Sequence, residues 1–118
     1  MGDKNNKYDL EERTAKFGED VIDFLKTIRT TEINRTLISQ VVRSSTSIGA
    51  NYGEADSAVS KKDFRNKIGF CRKESKETKH WLRMLARANP ENADICRKLW
   101  KEAHEFVLIF SKIFNSGK

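Results

Sequence analysis

The sequence predicts an all-α protein, an antiparallel up-down-up-down four-helix bundle. Three observations carry this. One proline and six glycines beside 34% charged residues favour long helices over many short strands. Apolar residues recur in alternating steps of three and four along four separate stretches. The connections between those stretches are short, which makes sequential helices antiparallel neighbours. At 118 residues the chain forms a single domain, residues 1–118, able to bury a core.

Helix one is expected over about residues 10–29, with Asp9 as N-cap and Glu12 as its capping-box partner. Its seam is Leu10, Thr14, Phe17, Val21, Phe24 and Ile28. Helix two, about 32–58, carries Ile38, Val41, Ser45, Ile48, Tyr52, Ala55 and Val59. Inside it lies Arg43-Ser-Ser-Thr-Ser-Ile-Gly-Ala-Asn-Tyr-Gly-Glu-Ala, which has the composition of a loop but keeps the helical register. Two helical glycines cost roughly 1 kcal/mol each relative to alanine, so close approach of another backbone is expected to offset them. Ser45, Gly49 and Gly53 stand four apart, a small-xxx-small ridge. A phosphate-cradling loop is excluded, because no Gly-Lys-Ser/Thr follows and no strand precedes.

Ser60 and Asp63 form the capping signal of helix three, about 61–88, whose seam is Phe64, Ile68, Cys71, Ser75, Thr78, Leu82 and Leu85. Asn89-Pro90 stops it, with Asn89 as N-cap and Pro90 at the first position of helix four, about 90–115. Helix four shows Cys96, Leu99, Ala103, Phe106, Phe110 and Ile113, widened by Trp100, Val107 and Phe114. Ser45, Ser75 and Thr78 predict a polar layer at mid-bundle, with partners expected among Arg43, Ser47, Asn51, Glu74 and Glu77; the alternative is that Arg43 and the two glutamates simply face water.

The net charge of +6 concentrates in residues 60–89, where ten basic residues face three acidic ones. Arg65, Arg72, Lys76, Lys79 and Arg83, at steps of seven, four, three and four, make one stripe beside the apolar seam. Such a stripe suits sequence-independent phosphate contact with RNA or DNA; the alternative is a solvated face partly balanced by Glu74 and Glu77. Phe70, Trp81 and Met84 on helix three, and Leu108 and Ile109 on helix four, are apolar beyond the seams. They predict a self-association interface.

Catalytic and metal chemistry is not expected. Glu77-x-x-His80 has the form of half a di-metal site, but Lys101 stands three before His104, where the matching half needs a carboxylate. His104-Glu105 lacks a second His at Leu108, and Cys71 and Cys96 read as core thiols. No triad or carboxylate pair is visible, so the expectation is a non-enzymatic protein without cofactors. The N-terminal residues Met1–Lys7 are polar, and Phe106–Phe110, the longest apolar run, is too short to span a bilayer. A soluble, cytoplasmic protein with reduced thiols is expected.

Tyr8-Asp-Leu-Glu-Glu-Arg-Thr, the Arg43–Ala55 block, Ser60-Lys-Lys-Asp-Phe and Lys73-Glu-Ser-Lys-Glu-Thr-Lys-His-Trp-Leu resemble the bacterial 23S rRNA intervening-sequence four-helix-bundle proteins. The resemblance spans nearly the whole chain. It implies an all-α bundle assembling as a ring, typically a homopentamer, and supplies no catalytic residues. The accessory variability protein of diversity-generating retroelements, a basic pentamer that associates with nucleic acid and a reverse transcriptase, is related in fold. Gly53 departs from the pattern, where a larger, often basic residue is expected. The label "ribosomal protein" sometimes attached to the family is no support for ribosome membership. The leading expectation is a homo-oligomer that binds RNA or DNA through the five cations. The alternative is a protein-interaction scaffold or accessory subunit without direct nucleic-acid binding.

Overall fold

The computed structural model describes residues 2–116, with side chains from residue 10 to residue 116. Four long helices follow one another: α1 (Gly2–Leu25), α2 (Glu32–Asp56), α3 (Lys61–Ala88) and α4 (Ala93–Ser116). No strand occurs among the described residues. The helices pack into a body of 44 × 27 × 19 Å, the long dimension matching the roughly 42 Å expected of a 28-residue helix such as α3.

Helix ends follow local chemistry. Thr31 caps α2 by accepting from the Asn34 N–H at 3.0 Å, and Ser60 caps α3 by accepting from the Asp63 N–H at 3.0 Å. Three boundaries differ from expectation. The backbone is already helical at Gly2, ahead of the start expected at Asp9, whose side chain lies outside the described ones. At its other end α1 stops at Leu25 and tightens, the N–H groups of Thr27 and Ile28 donating to the Phe24 and Leu25 carbonyls, three residues back. Pro90 opens not α4 itself but a one-turn 3-10 helix, Pro90–Asn92, and Asn89 makes no side-chain cap for it. The Asn89 amide is turned instead onto Asn34 at the start of α2.

The seams meet in one core. All six α1 seam residues are buried, as are Val41, Ser45, Ile48, Tyr52 and Ala55 of α2. Ile68, Cys71, Ser75, Thr78, Leu82 and Leu85 of α3 join Cys96, Leu99, Ala103, Phe106 and Phe110 of α4. Phe17 and Phe106 meet edge to face with centroids 5.4 Å apart, and Phe110 bridges Phe106 to Tyr52. Val59 leaves the pattern: α2 ends at Asp56, so the heptad register no longer carries Val59 inward, and it is 95% exposed. Phe64, in the first turn of α3, is 37% exposed.

The loop-like stretch of α2 is helical throughout, and its small residues act unequally. A Cβ on Gly49 would lie 3.3 Å from Thr14 Oγ1 and 3.6 Å from the Thr14 carbonyl carbon, so α1 closes on α2 there. Gly53, expected to extend the ridge, meets nothing within 4 Å and opens onto a shallow groove between α1 and α2. The polar layer also resolves differently from expectation. Ser45 donates to the Val42 carbonyl and Ser75 to the Cys71 carbonyl, while Thr78 lies 2.8 Å from the Glu74 carbonyl and 3.0 Å from the Ser44 hydroxyl. Hydroxyls in a helix reach their own preceding turn, so no charged partner is needed. Of the expected partners, Arg43, Glu74 and Glu77 form a separate ion cluster at the surface, and Ser47 and Asn51 bond within α2.

Candidate nucleic-acid interface

The basic stripe lies on the flank of α3 that faces α4, and each cation has its own setting there. Arg65 donates through Nε to the Phe114 carbonyl at 3.1 Å, its guanidinium 3.8 Å from the Phe114 ring centroid. Arg72 approaches the same ring at 4.2 Å. Between them, at Gly69, a Cβ would sit 3.2 Å from Phe114 Cε1, so the missing side chain makes room for the ring. Two turns beyond Arg72, Lys79 Nζ lies 4.6 Å from the Trp100 centroid and 2.9 Å from His104 Nδ1. An ammonium only donates, so Nδ1 is the acceptor in this contact. Trp100 and His104 stack at 5.3 Å and 13°. Lys76 and Arg83 project into solvent.

None of the five cations forms a salt bridge among the described residues. Glu74 and Glu77, the carboxylates that could have balanced the stripe, face α2. Glu74 meets Arg43 at 3.2 Å, and Glu77 takes the other arm of the same guanidinium. Lys67, on this α2-facing flank, pairs with Glu54 at 2.8 Å. The two flanks of α3 therefore differ in kind: one carries compensated charge, the other cations packed on aromatic faces. Stacking of this sort contributes about 0.5–1 kcal/mol per pair at partly exposed sites and leaves the positive charge in place. From Arg65 to Arg83 the stripe spans about 27 Å.

The aromatic half of this interface was not singled out in the sequence. Trp100 and Phe114 read there as widening the core face of α4, and His104 only as a rejected metal ligand. The signal was available: Trp100, His104, Val107, Ser111 and Phe114 follow one another at steps of four and three, the flank of α4 that α3 must meet.

The residues expected to mediate self-association separate into two groups. Phe70 and Leu108 are 46% and 52% exposed. Trp81 and Ile109 pack against the core of their own bundle, and Met84 is half-buried. Among the described residues no three His, Cys, Asp or Glu side chains gather as a metal-binding group. Burial pushes the Cys71 thiol up to about 12 and that of Cys96 to about 11, and Cys71 Sγ donates to the Ile48 carbonyl at 3.7 Å. No helix among the described residues is long and apolar enough to cross a membrane.

Comparison with known proteins extends this description. The family model described as 23S rRNA-intervening sequence protein matches residues 6–112. Among solved structures, the chain is similar to a Bacteroides thetaiotaomicron protein of unknown function from the S23 ribosomal protein family. That likeness has a TM-score of 0.81 and 28% identity over 89% of this chain and 97% of the other. No curated protein matches the sequence.

Proposed function

The chain belongs to the 23S rRNA-intervening sequence protein family, and from that premise we propose that it is a non-enzymatic, cytoplasmic, homo-oligomeric bundle that binds structured RNA or DNA by phosphate contacts along α3. The observation that carries this reading is the asymmetry of α3: Arg65, Arg72, Lys76, Lys79 and Arg83 have no carboxylate partner among the described residues, while Glu74 and Glu77 are engaged by Arg43 on the other flank. Uncompensated cations in a rigid row release counterions when phosphates dock. The helices run up-down-up-down in this proposal. In support, contacts between α2 and α3 pair rising with falling numbers, namely Asn34 with Asn89, Ser44 with Thr78, Ile48 with Cys71 and Glu54 with Lys67. Assembly as a ring, a pentamer by the family resemblance, multiplies weak stripes into avidity.

Retention of rRNA fragments at rising salt tests the proposal. Five neutralised phosphates predict a slope of log K against log salt near about −4.5 on duplex. Absent or salt-insensitive binding overturns it. Light scattering tests the assembly separately, and a monomer mass removes it.

The exposure of Phe70 and Leu108 favours a second reading, a protein-interaction scaffold with these apolar side chains as contact points. Replacing the five cations with glutamine separates the two, since a scaffold keeps its partners and a nucleic-acid binder loses affinity.

A further inference from the structure

Where the basic stripe ends, α3 and α4 part to leave an open, shallow cleft of about 370 Å³. Its apolar lining includes Leu82 and Ala86, Trp100 lines it as well, and Arg83, Arg97 and Lys101 supply positive charge. Arg97 shares its charge with Asp94 at 3.2 Å, whereas Arg83 and Lys101 have no salt-bridge partner among the described residues. The Trp100 plane is held in place before any ligand arrives, stacked on His104 with the Lys79 ammonium 4.6 Å from its centroid.

A second cleft, between α1 and α4, is larger at about 480 Å³, but it is lined by Asp20, Glu102 and Glu105 as well as cations. Its Arg13 is held by Glu102 through two hydrogen bonds of 2.8 Å. Those carboxylates repel a phosphate. The α3–α4 cleft has no carboxylate in its lining, and it shares Arg83 with the stripe.

We infer that this cleft receives one unpaired nucleotide, its base stacked on Trp100 and its phosphates held by Arg83 and Lys101. The inference rests on the nucleic-acid reading above and narrows it to a loop, bulge or single-stranded segment. A duplex keeps its base faces inside its own stack, so it can engage the cations but cannot reach an aromatic wall in a cleft. A strand lying along α3 brings its backbone to Arg83, and one flipped base then enters beside it. The preset orientation of Trp100 lowers the cost of ordering the site on binding.

The test uses the full chain carrying Trp81→Phe, which leaves Trp100 as the sole tryptophan. Its fluorescence is titrated with single-stranded oligouridylate RNA, with duplex RNA and with inorganic polyphosphate, binding being followed in parallel by anisotropy or retention. The expected result is quenching by the single strand alone, while duplex and polyphosphate bind without it. In a Trp100→Leu variant whose circular dichroism is unchanged, single-strand affinity falls roughly 5- to 150-fold, the range for loss of one stacked base, and polyphosphate affinity holds. Equal quenching by polyphosphate, or binding of all three probes with no quenching, overturns the stacked base and leaves the phosphate-binding reading standing. Binding of none of the probes overturns both.

Discussion

The side-chain amides of Asn34 and Asn89, 55 residues apart, exchange hydrogen bonds of 2.9 and 2.8 Å in the buried interior. Each nitrogen has a second acceptor, the Arg29 carbonyl for Asn34 at 2.9 Å and the Leu85 carbonyl for Asn89 at 3.0 Å. All four amide N–H donors of the pair are thereby used. The pair fastens the start of α2 to the end of α3, at the place where the chain turns into α4.

Replacing either asparagine with leucine strands the other amide in an apolar setting, so each single change is expected to cost about 1–3 kcal/mol. The double change Asn34→Leu/Asn89→Leu removes both halves and should cost clearly less than the sum. Urea unfolding of the four proteins measures this. Strict additivity would show that the two amides are not coupled.

The two glycines of α2 should respond differently to alanine. Gly53→Ala gains helix propensity in open space, a stabilisation of up to about 1 kcal/mol. Gly49→Ala gains the same propensity but presses a methyl against Thr14. That residue is buried and bonded to the Leu10 carbonyl at 2.7 Å, so it has little room to move. Thermal melts should rank Gly53→Ala above Gly49→Ala; the reverse order would mean that α1 yields.

Cations of the stripe should divide by how much packing they carry. Lys76→Gln removes only charge, and is expected to flatten the salt dependence of RNA binding by about one unit of slope with the melting temperature unchanged. Arg65→Gln loses in addition the ring contact and the bond to the Phe114 carbonyl. It should lower both affinity and thermal stability. Equal effects of the two on stability would contradict the packing role of Arg65.

Both thiols should be sluggish while the protein is folded. Burial raises Cys71 to about 12 from an ordinary value of 9.0, so the folded state holds this proton more tightly than the unfolded chain. The stabilisation is complete below pH 9 and declines as pH rises toward 12, the window in which only the unfolded thiol ionises. Alkylation by iodoacetamide at pH 8 is expected to be slow until denaturant is added. Rapid labelling of native protein would show that Cys71 or Cys96 is accessible.

Much of this molecule was legible in its sequence because an α-helix maps spacing directly onto direction. Leu10 to Ile28 alternate by four and three, and all of them are buried. The cap at Ser60 follows from a local bond that hardly depends on the rest of the fold. The same reasoning failed where a partner from another helix decides the outcome. Asn89 had a plausible local role as a cap, and Asn34 overrode it. Gly53 repeats the spacing of Gly49 without having a neighbour to accommodate.

The sequence alone determined the number of helices, their buried faces and the concentration of positive charge on α3, since each depends on residues a few positions apart. Tertiary structure decided what that charge meets. A one-dimensional pattern places Glu74 and Glu77 next to the cations, yet packing turns them toward Arg43. It brings Phe114, Trp100 and His104, 20 or more residues downstream, against Arg65, Arg72 and Lys79. Electrostatic and stacking energies depend on distance in space, and only packing the helices together sets those distances.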